Sequence, residues 1–251
     1  MTLPGGQRRL TVGVLGGLGP EATLDFFAKV LARTPARTDQ DHLHLLIDND
    51  PGVPNRNDAV AGRGPSPGPR LATMARRLEA AGADFLVMVC NAAHAFQDAI
   101  LGATRIPFVS IVEETIDATL ARVPEVRRVG VLASEGTLEA GLYQQAFAER
   151  DVGVLVPEGE DRALFMELMY AIKGGDKGNE VRAGMLRLAK GLREAGAEAL
   201  IAGCTEVPLV LTQEALDDAG LPLPLVNSTD VLVEATVSIA TGRRPLPQRG
   251  P

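Results

Sequence analysis

Short apolar runs of strand length alternate with helix-like stretches along the chain, and the whole alternation occurs twice. LTVGVL (10–15), LHLLI (43–47), DFLVMVC (84–90) and PFVSI (107–111) are separated by stretches such as PEATLDFFAKVLA (20–32) and PRLATMARRLEAAG (69–82). Strand, helix, strand implies a parallel sheet with both faces covered, because only a crossover of helix length returns the chain to the same edge. RRVGVL (127–132), VGVLV (152–156), EALIAGC (198–204) and LPLVN (223–227) then repeat the order. The register of the repeat is readable: Val12-Gly13-Val14-Leu15 corresponds to Val129-Gly130-Val131-Leu132, Ala81-Gly82-Ala83 to Ala195-Gly196-Ala197, and Pro107-Phe108 to Pro224-Leu225. Helix patterns IVEETIDATLA and STDVLVEATVSIA follow the last pair. The expected fold is α/β with two pseudo-symmetric domains, each a mainly parallel sheet flanked by helices. Residues 1–116 with a returning segment 226–251 form the first, and residues 117–225 the second. RGPSPGPRL (63–71) reads as a mobile loop and GRRPLPQRGP (242–251) as a frayed tail.

The repeat gives the cysteines their meaning. Cys90 and Cys204 are the only two, and they end equivalent strands. A single free cysteine is usually a small buried hydrophobe, but two core cysteines placed at random would not fall on matching positions. In open parallel sheets, ligands bind beyond the carboxyl ends of the strands, where the next helix begins. Two such units face to face place one thiol on each side of an inter-domain cleft, the expected active site. A thiolate just before a helix N-terminus is expected to have a lowered pKa. It can then take a proton from one face of a carbon centre while a thiol on the other face returns one.

Composition bounds the partners. With 251 residues, 45% of them hydrophobic, the chain can bury a real core. No run approaches the roughly 20 apolar residues of a membrane span, and the opening MTLPGGQRRL lacks the apolar stretch of a signal peptide. The expectation is a cytoplasmic protein with free thiols and no membrane partner. A net charge of −7, no Trp and two Tyr give neither the basic footprint nor the stacking platform of a nucleic-acid binder. A small molecule is the expected partner.

Five motifs in order, GVLGGLGPEAT (13–23), DNDPGVPNR (48–56), CNAAH (90–94), MYAIKGG (169–175) and GCTE (203–206), resemble those of the aspartate/glutamate racemase superfamily, most closely its aspartate racemase branch. The resemblance runs from about residue 10 to residue 240. It implies an amino-acid racemase that uses no pyridoxal phosphate, other cofactor or metal, and that works as a homodimer. It assigns Cys90 and Cys204 as the acid/base pair and Arg56 and Lys173 as holders of the substrate's side-chain carboxylate. Asn91 and Thr205 would bind the α-carboxylate and amino group, Gly17 and Thr137 would border the substrate, and His94 and Glu206 would support the thiols, with Glu135 also at the cleft. A planar guanidinium grips a carboxylate through two parallel hydrogen bonds, which suits Arg56; Lys173 could equally complement a helix C-terminus. One departure stands out: the family pattern has threonine after Cys-Asn, and this chain has Ala92.

Other readings compete. Gly17-Leu18-Gly19-Pro20-Glu21-Ala22 fits the dinucleotide pattern G-x-G-x-x-A after a strand, with Asp48 or Asp50 as a ribose ligand. His42 and His44 with the same aspartates could be read as a metal site, although no motif supplies another ligand. Maleate isomerases and related decarboxylases share the superfold and its cysteines, and a binding protein could keep the cleft without the chemistry.

Overall fold

The computed structural model describes residues 8–247. Its first half contains β1 (Val12–Gly16), α1 (Pro20–Arg33), β2 (Leu45–Asn49), α2 (Arg56–Val60), α3 (Gly68–Ala80), β3 (Phe85–Met88), α4 (Gln97–Leu101), β4 (Phe108–Val109) and α5 (Ile111–Arg122). The second half contains β5 (Arg128–Leu132), α6 (Glu135–Glu139), α7 (Leu142–Ala148), β6 (Gly153–Leu155), α8 (Gly159–Lys173), α9 (Asn179–Glu194), β7 (Ala199–Ala202), α10 (Gln213–Asp218), β8 (Leu225–Asn227) and α11 (Ser228–Ala240). Two four-stranded sheets result, ordered β2-β1-β3-β4 and β6-β5-β7-β8. All their pairings are parallel. The two-sheet α/β architecture read from the sequence is therefore the observed one.

The repeat is also a repeat of packing. A Cβ built on Gly13 would lie 2.6 Å from Leu86 and crowd Ala83 and Leu78; one on Gly130 would lie 2.9 Å from Leu200 and crowd Ala197 and Leu192. The two sets occupy equivalent places, so in each half a glycine lets a helix, α3 or α9, settle directly on the central strand. Under α3 lies a core of Leu15, Leu71, Met74 and Leu86. Beneath α8 and α9 lies another, of Ile172, Met185, Leu188 and Leu200. A third core runs between the sheets through Phe26, Val87, Ile116, Val131, Tyr143 and Leu232. It is closed by α11, which packs along α1 and α5, while α5 also meets α7.

Several boundaries differ from expectation. β2 runs two residues past LHLLI because Asp48 and Asn49 pair with Leu15 and Gly16; their weak strand propensity ended the apolar pattern early. β3 and β7 stop at Met88 and Ala202, so each cysteine lies two residues beyond its ladder. The expected loop 63–71 ends at Pro67, since Pro69 falls in the first turn of α3, where its missing N–H costs nothing. Of the expected tail, residues 248–251 lie outside the described residues, as do residues 1–7 of the opening segment.

Candidate active site

A cavity of about 340 Å³ opens at the carboxyl ends of both sheets, and Cys90 and Cys204 both line it. Both thiols are free, and the residues are 7% and 8% exposed. Neither precedes an α-helix directly: a single 3-10 turn follows each, Ala92–Phe96 after Cys90 and Val207–Leu209 after Cys204. The helix-dipole argument for lowered thiol pKa values therefore loses its basis, and for Cys204 the shift goes the other way. Burial first, and then the carboxylate of Glu206, push its thiol well above the usual cysteine value. Its Sγ donates to Glu206 Oε2 at 3.0 Å, so the resting group is a thiol.

Glu206 is only 4% exposed and is the hub of this side. It accepts from Thr205 Oγ1 at 3.3 Å and forms an ion pair with Lys173, the last residue of α8. Burial opposes the charge on Lys173, but Glu206 and the two nearby cysteines outweigh it and raise its pKa. Gly19 makes room for the pair, since a Cβ there would come within 2.4 Å of Glu206 Oε1. Across the cavity, Arg56 sits at the start of α2 and is fixed by backbone carbonyls: Nη2 donates to Leu18 at 2.6 Å, and Nη1 to Val53 and Pro54 at 3.2 and 3.0 Å. Nε–H has no partner among the described residues and one Nη2–H is left, donors that can meet a carboxylate.

Residues 15–236 match the family described as Asp/Glu/hydantoin racemase. The chain belongs to that family. It is 28% identical over 237 residues to the broad specificity amino-acid racemase RacX of Bacillus subtilis, covering 90% of this chain and 96% of that one. The aspartate racemase of Picrophilus torridus superimposes with a TM-score of 0.80 at 26% identity, over 92% of this chain and 94% of that one. An aspartate racemase homologue from Pyrococcus horikoshii has the same fold, with a TM-score of 0.71 at 24% identity, over 92% of this chain and 98% of that one. The family is one of isomerases, as the motifs implied.

Of the remaining motif residues of this Asp/Glu racemase family member, Asn91, Ala92 and Thr205 reach the cavity. Gly17 does not. It adopts φ +80, and a Cβ would lie 2.4 Å from the Asp50 nitrogen, so its glycine character serves the approach of two loops of the chain itself. Gly17 instead lines a smaller neighbouring cavity of about 180 Å³, with Arg56, Lys173 and Glu206 on its wall. Thr137 is buried in α6 beside Ser134, at 3.3 Å between the hydroxyls, and Ser134 rather than Thr137 lines the cavity. The signal was present, because Ser134 lies just beyond the end of β5, at the carboxyl edge of the second sheet. Glu135 is bound through its N–H to Met166 Sδ at 3.3 Å. His94 turns away from the thiol: Nε2 accepts from the Ile111 N–H at 3.2 Å, which leaves the proton on Nδ1 to donate to the Cys90 carbonyl at 2.8 Å. Burial holds the ring neutral, with a pKa of about 4.

Asp48, Asp50 and His44 of the competing motifs find other partners, whereas the buried Nδ1 of His42 has none among the described residues. Asp50 accepts from Arg70 Nε at 2.5 Å, which, with the Gly52 N–H, holds its carboxyl below the usual range, and Asp48 faces Arg77 at 3.4 Å. His44 Nδ1 lies 3.3 Å from Thr11 Oγ1. Among the described residues no group of three or more His, Cys, Asp or Glu is arranged to hold a metal, and no helix is long and apolar enough to cross a membrane. Asn55, Asn57 and Tyr170 also line the cavity. The Tyr170 hydroxyl lies 3.4 Å from Asn55 Nδ2 and 3.3 Å from Asn57 Nδ2, joining α8 to α2 across the cleft. Tyr170 could have been found as the residue one turn before Lys173, and the asparagines as the neighbours of Arg56.

Proposed function

We propose that the protein is a cofactor-independent racemase of an acidic amino acid, aspartate first, working by two-base proton transfer between Cys90 and Cys204. The observation that carries this reading is that two buried thiols, from equivalent strand ends of the two halves, line one cavity. One cysteine, as thiolate, removes the α-proton and leaves its electron pair on the α-carbon, delocalised into the carboxylate. The other, as thiol, donates its proton to the opposite face. The two thiols have then exchanged protonation states, and the reverse reaction uses them in opposite order. Arg56 offers its remaining N–H donors to the distal carboxylate, and Lys173 joins it when the substrate carboxylate competes with Glu206. Thr205 and Asn91 hold the α-carboxylate and amino group.

The same proposal places the protein in the cytoplasm as a homodimer, with residues 1–116 and 226–251 as one unit and 117–225 as the other; sedimentation measures the assembly. Ala92, lining the cavity where the family pattern has threonine, favours a wider substrate range as a second reading. Incubating the protein with L-aspartate in deuterated water tests both. A racemase yields both enantiomers with deuterium at the α-carbon, and a panel of other amino acids reads the range. Loss of carboxyl groups or isomerisation of maleate in place of α-deuteration would move the assignment to the related chemistries.

A further inference from the structure

Tyr143 belongs to none of the motifs, yet it touches the neighbour of each cysteine. It is fully buried on α7. Its ring lies against Gly203, the residue before Cys204, so closely that a Cβ there would be 3.0 Å from Cε2. Its hydroxyl lies 2.6 Å from Oδ1 of Asn91, the residue after Cys90. The Asn91 Nδ2 is 3.1 Å from Ser228 Oγ, and Ser228 Oγ is 2.7 Å from the carbonyl of Ala202, at the end of β7.

The polarity of this relay is fixed by its last member. A carbonyl can only accept, so the single hydrogen of Ser228 goes to Ala202. Ser228 must then accept from Asn91, which places Nδ2 toward Ser228 and Oδ1 toward Tyr143. The hydroxyl of Tyr143 therefore donates to Oδ1. With Asn91 2% exposed and Ser228 fully buried, water does not replace either bond cheaply. The amide is held in one orientation, and one Nδ2–H remains for the cavity that Asn91 lines.

We infer that Tyr143 is a positioning residue for the reaction, spacing the two cysteine loops with its ring and aiming the free Asn91 N–H at the substrate's α-carboxylate with its hydroxyl. The inference rests on the racemase reading. The α-carboxylate is where charge gathers when the α-proton leaves, so a fixed donor there acts more on the transition state than on the bound substrate. Removing the hydroxyl leaves Asn91 Oδ1 buried and unpaired and lets the amide turn.

The test is steady-state racemisation by the whole protein as wild type, Tyr143→Phe, Asn91→Ala and the double variant. Tyr143→Phe keeps the ring and is expected to lower kcat by roughly 10–100-fold, somewhat less than the loss of a whole donor, with KM changed less than about threefold. In the Asn91→Ala background the same substitution should cost less than about twofold, because the group it orients is gone. A Tyr143→Phe protein with more than half of the wild-type kcat overturns the inference, and so does an equal loss in both backgrounds, which is the mark of a merely structural residue. Ser228→Ala enters the relay from its far end and supplies the same comparison if Tyr143→Phe does not fold; full kcat in that variant also overturns it. A wild-type protein that racemises no amino acid removes the racemase reading itself, a result separate from an active wild type with an indifferent Tyr143.

Discussion

Cys204 begins protonated, with its hydrogen directed at Glu206, and under the proposed two-base mechanism a substrate whose α-proton faces this side waits for that thiol to ionise. Glu206 is both the acceptor in contact and, after burial, the main reason the ionisation is unfavourable. Glu206→Gln removes the neighbouring charge and should move ionisation of Cys204 to lower pH, although burial keeps it above that of a free cysteine. Alkylation rates against pH in a Cys90→Ser background read this directly, and an unmoved midpoint would remove Glu206 as the cause. The thiols themselves are tested by Cys90→Ser and Cys204→Ser. Each should abolish net racemisation in both directions, while exchange of the α-proton of one enantiomer survives; substantial racemisation by either variant would end the two-base reading. Ala92→Thr restores a hydroxyl at the cavity, where a neutral hydrogen bond is worth roughly 0.5–1.5 kcal/mol. It is expected to raise kcat/KM for aspartate by a few-fold or more, and a neutral or harmful effect in kinetics with both enantiomers would show a pocket adapted to alanine.

The elements that carry these residues were legible to different degrees. Strands and helices could be read because apolar runs are bounded by Gly, Pro and charged residues, and because each pattern occurs twice. The conformation after each cysteine could not be read: a 3-10 turn and an α-helix start with the same local sequence, and only the packing decides. Tyr143 and Ser228 escaped because their partners lie far away in the chain and no spacing marks them, and Asn57, although it adjoins Arg56, has a partner just as distant. Asn57 shows the cost of that blindness, since its Oδ1 accepts from the Gly136 N–H at 2.9 Å and ties α2 to α6. The resemblance sets Gly17 at the border of the substrate, and its backbone shows a second constraint, a left-handed conformation packed against Asp50. Gly17→Ala forces a side chain into the left-handed region and against the Asp50 backbone, which should cost about 2–4 kcal/mol. Calorimetry should then show Tm lower by roughly 5–15 °C, whereas an unchanged Tm would mean that the two loops separate freely.

Across the whole molecule, the two sheets are held together by helices that follow their last strands, and the core between them includes residues of both halves. The His94 ring ties elements of the first half to one another, bridging the Cys90 carbonyl and the N-terminus of α5. The neutral ring fits this position because one nitrogen donates and the other accepts; a protonated ring would lose the bond from Ile111 and carry a charge in a dry site. Its folded pKa of about 4 lies below the 6.5 of an exposed histidine. Between those values the unfolded chain binds the proton and the folded chain does not, so stability falls as pH is lowered through this window and the loss levels off below about 4. The size is on the order of 2–3 kcal/mol by pH 4.5. Urea unfolding of wild type and His94→Asn at pH 7.5 and 4.5 isolates it, because carboxylate contributions are common to both proteins. The variant should be less stable at pH 7.5 yet lose less on acidification by about that amount, and parallel losses in the two proteins would mean that the ring takes up its proton at the same pH folded as unfolded.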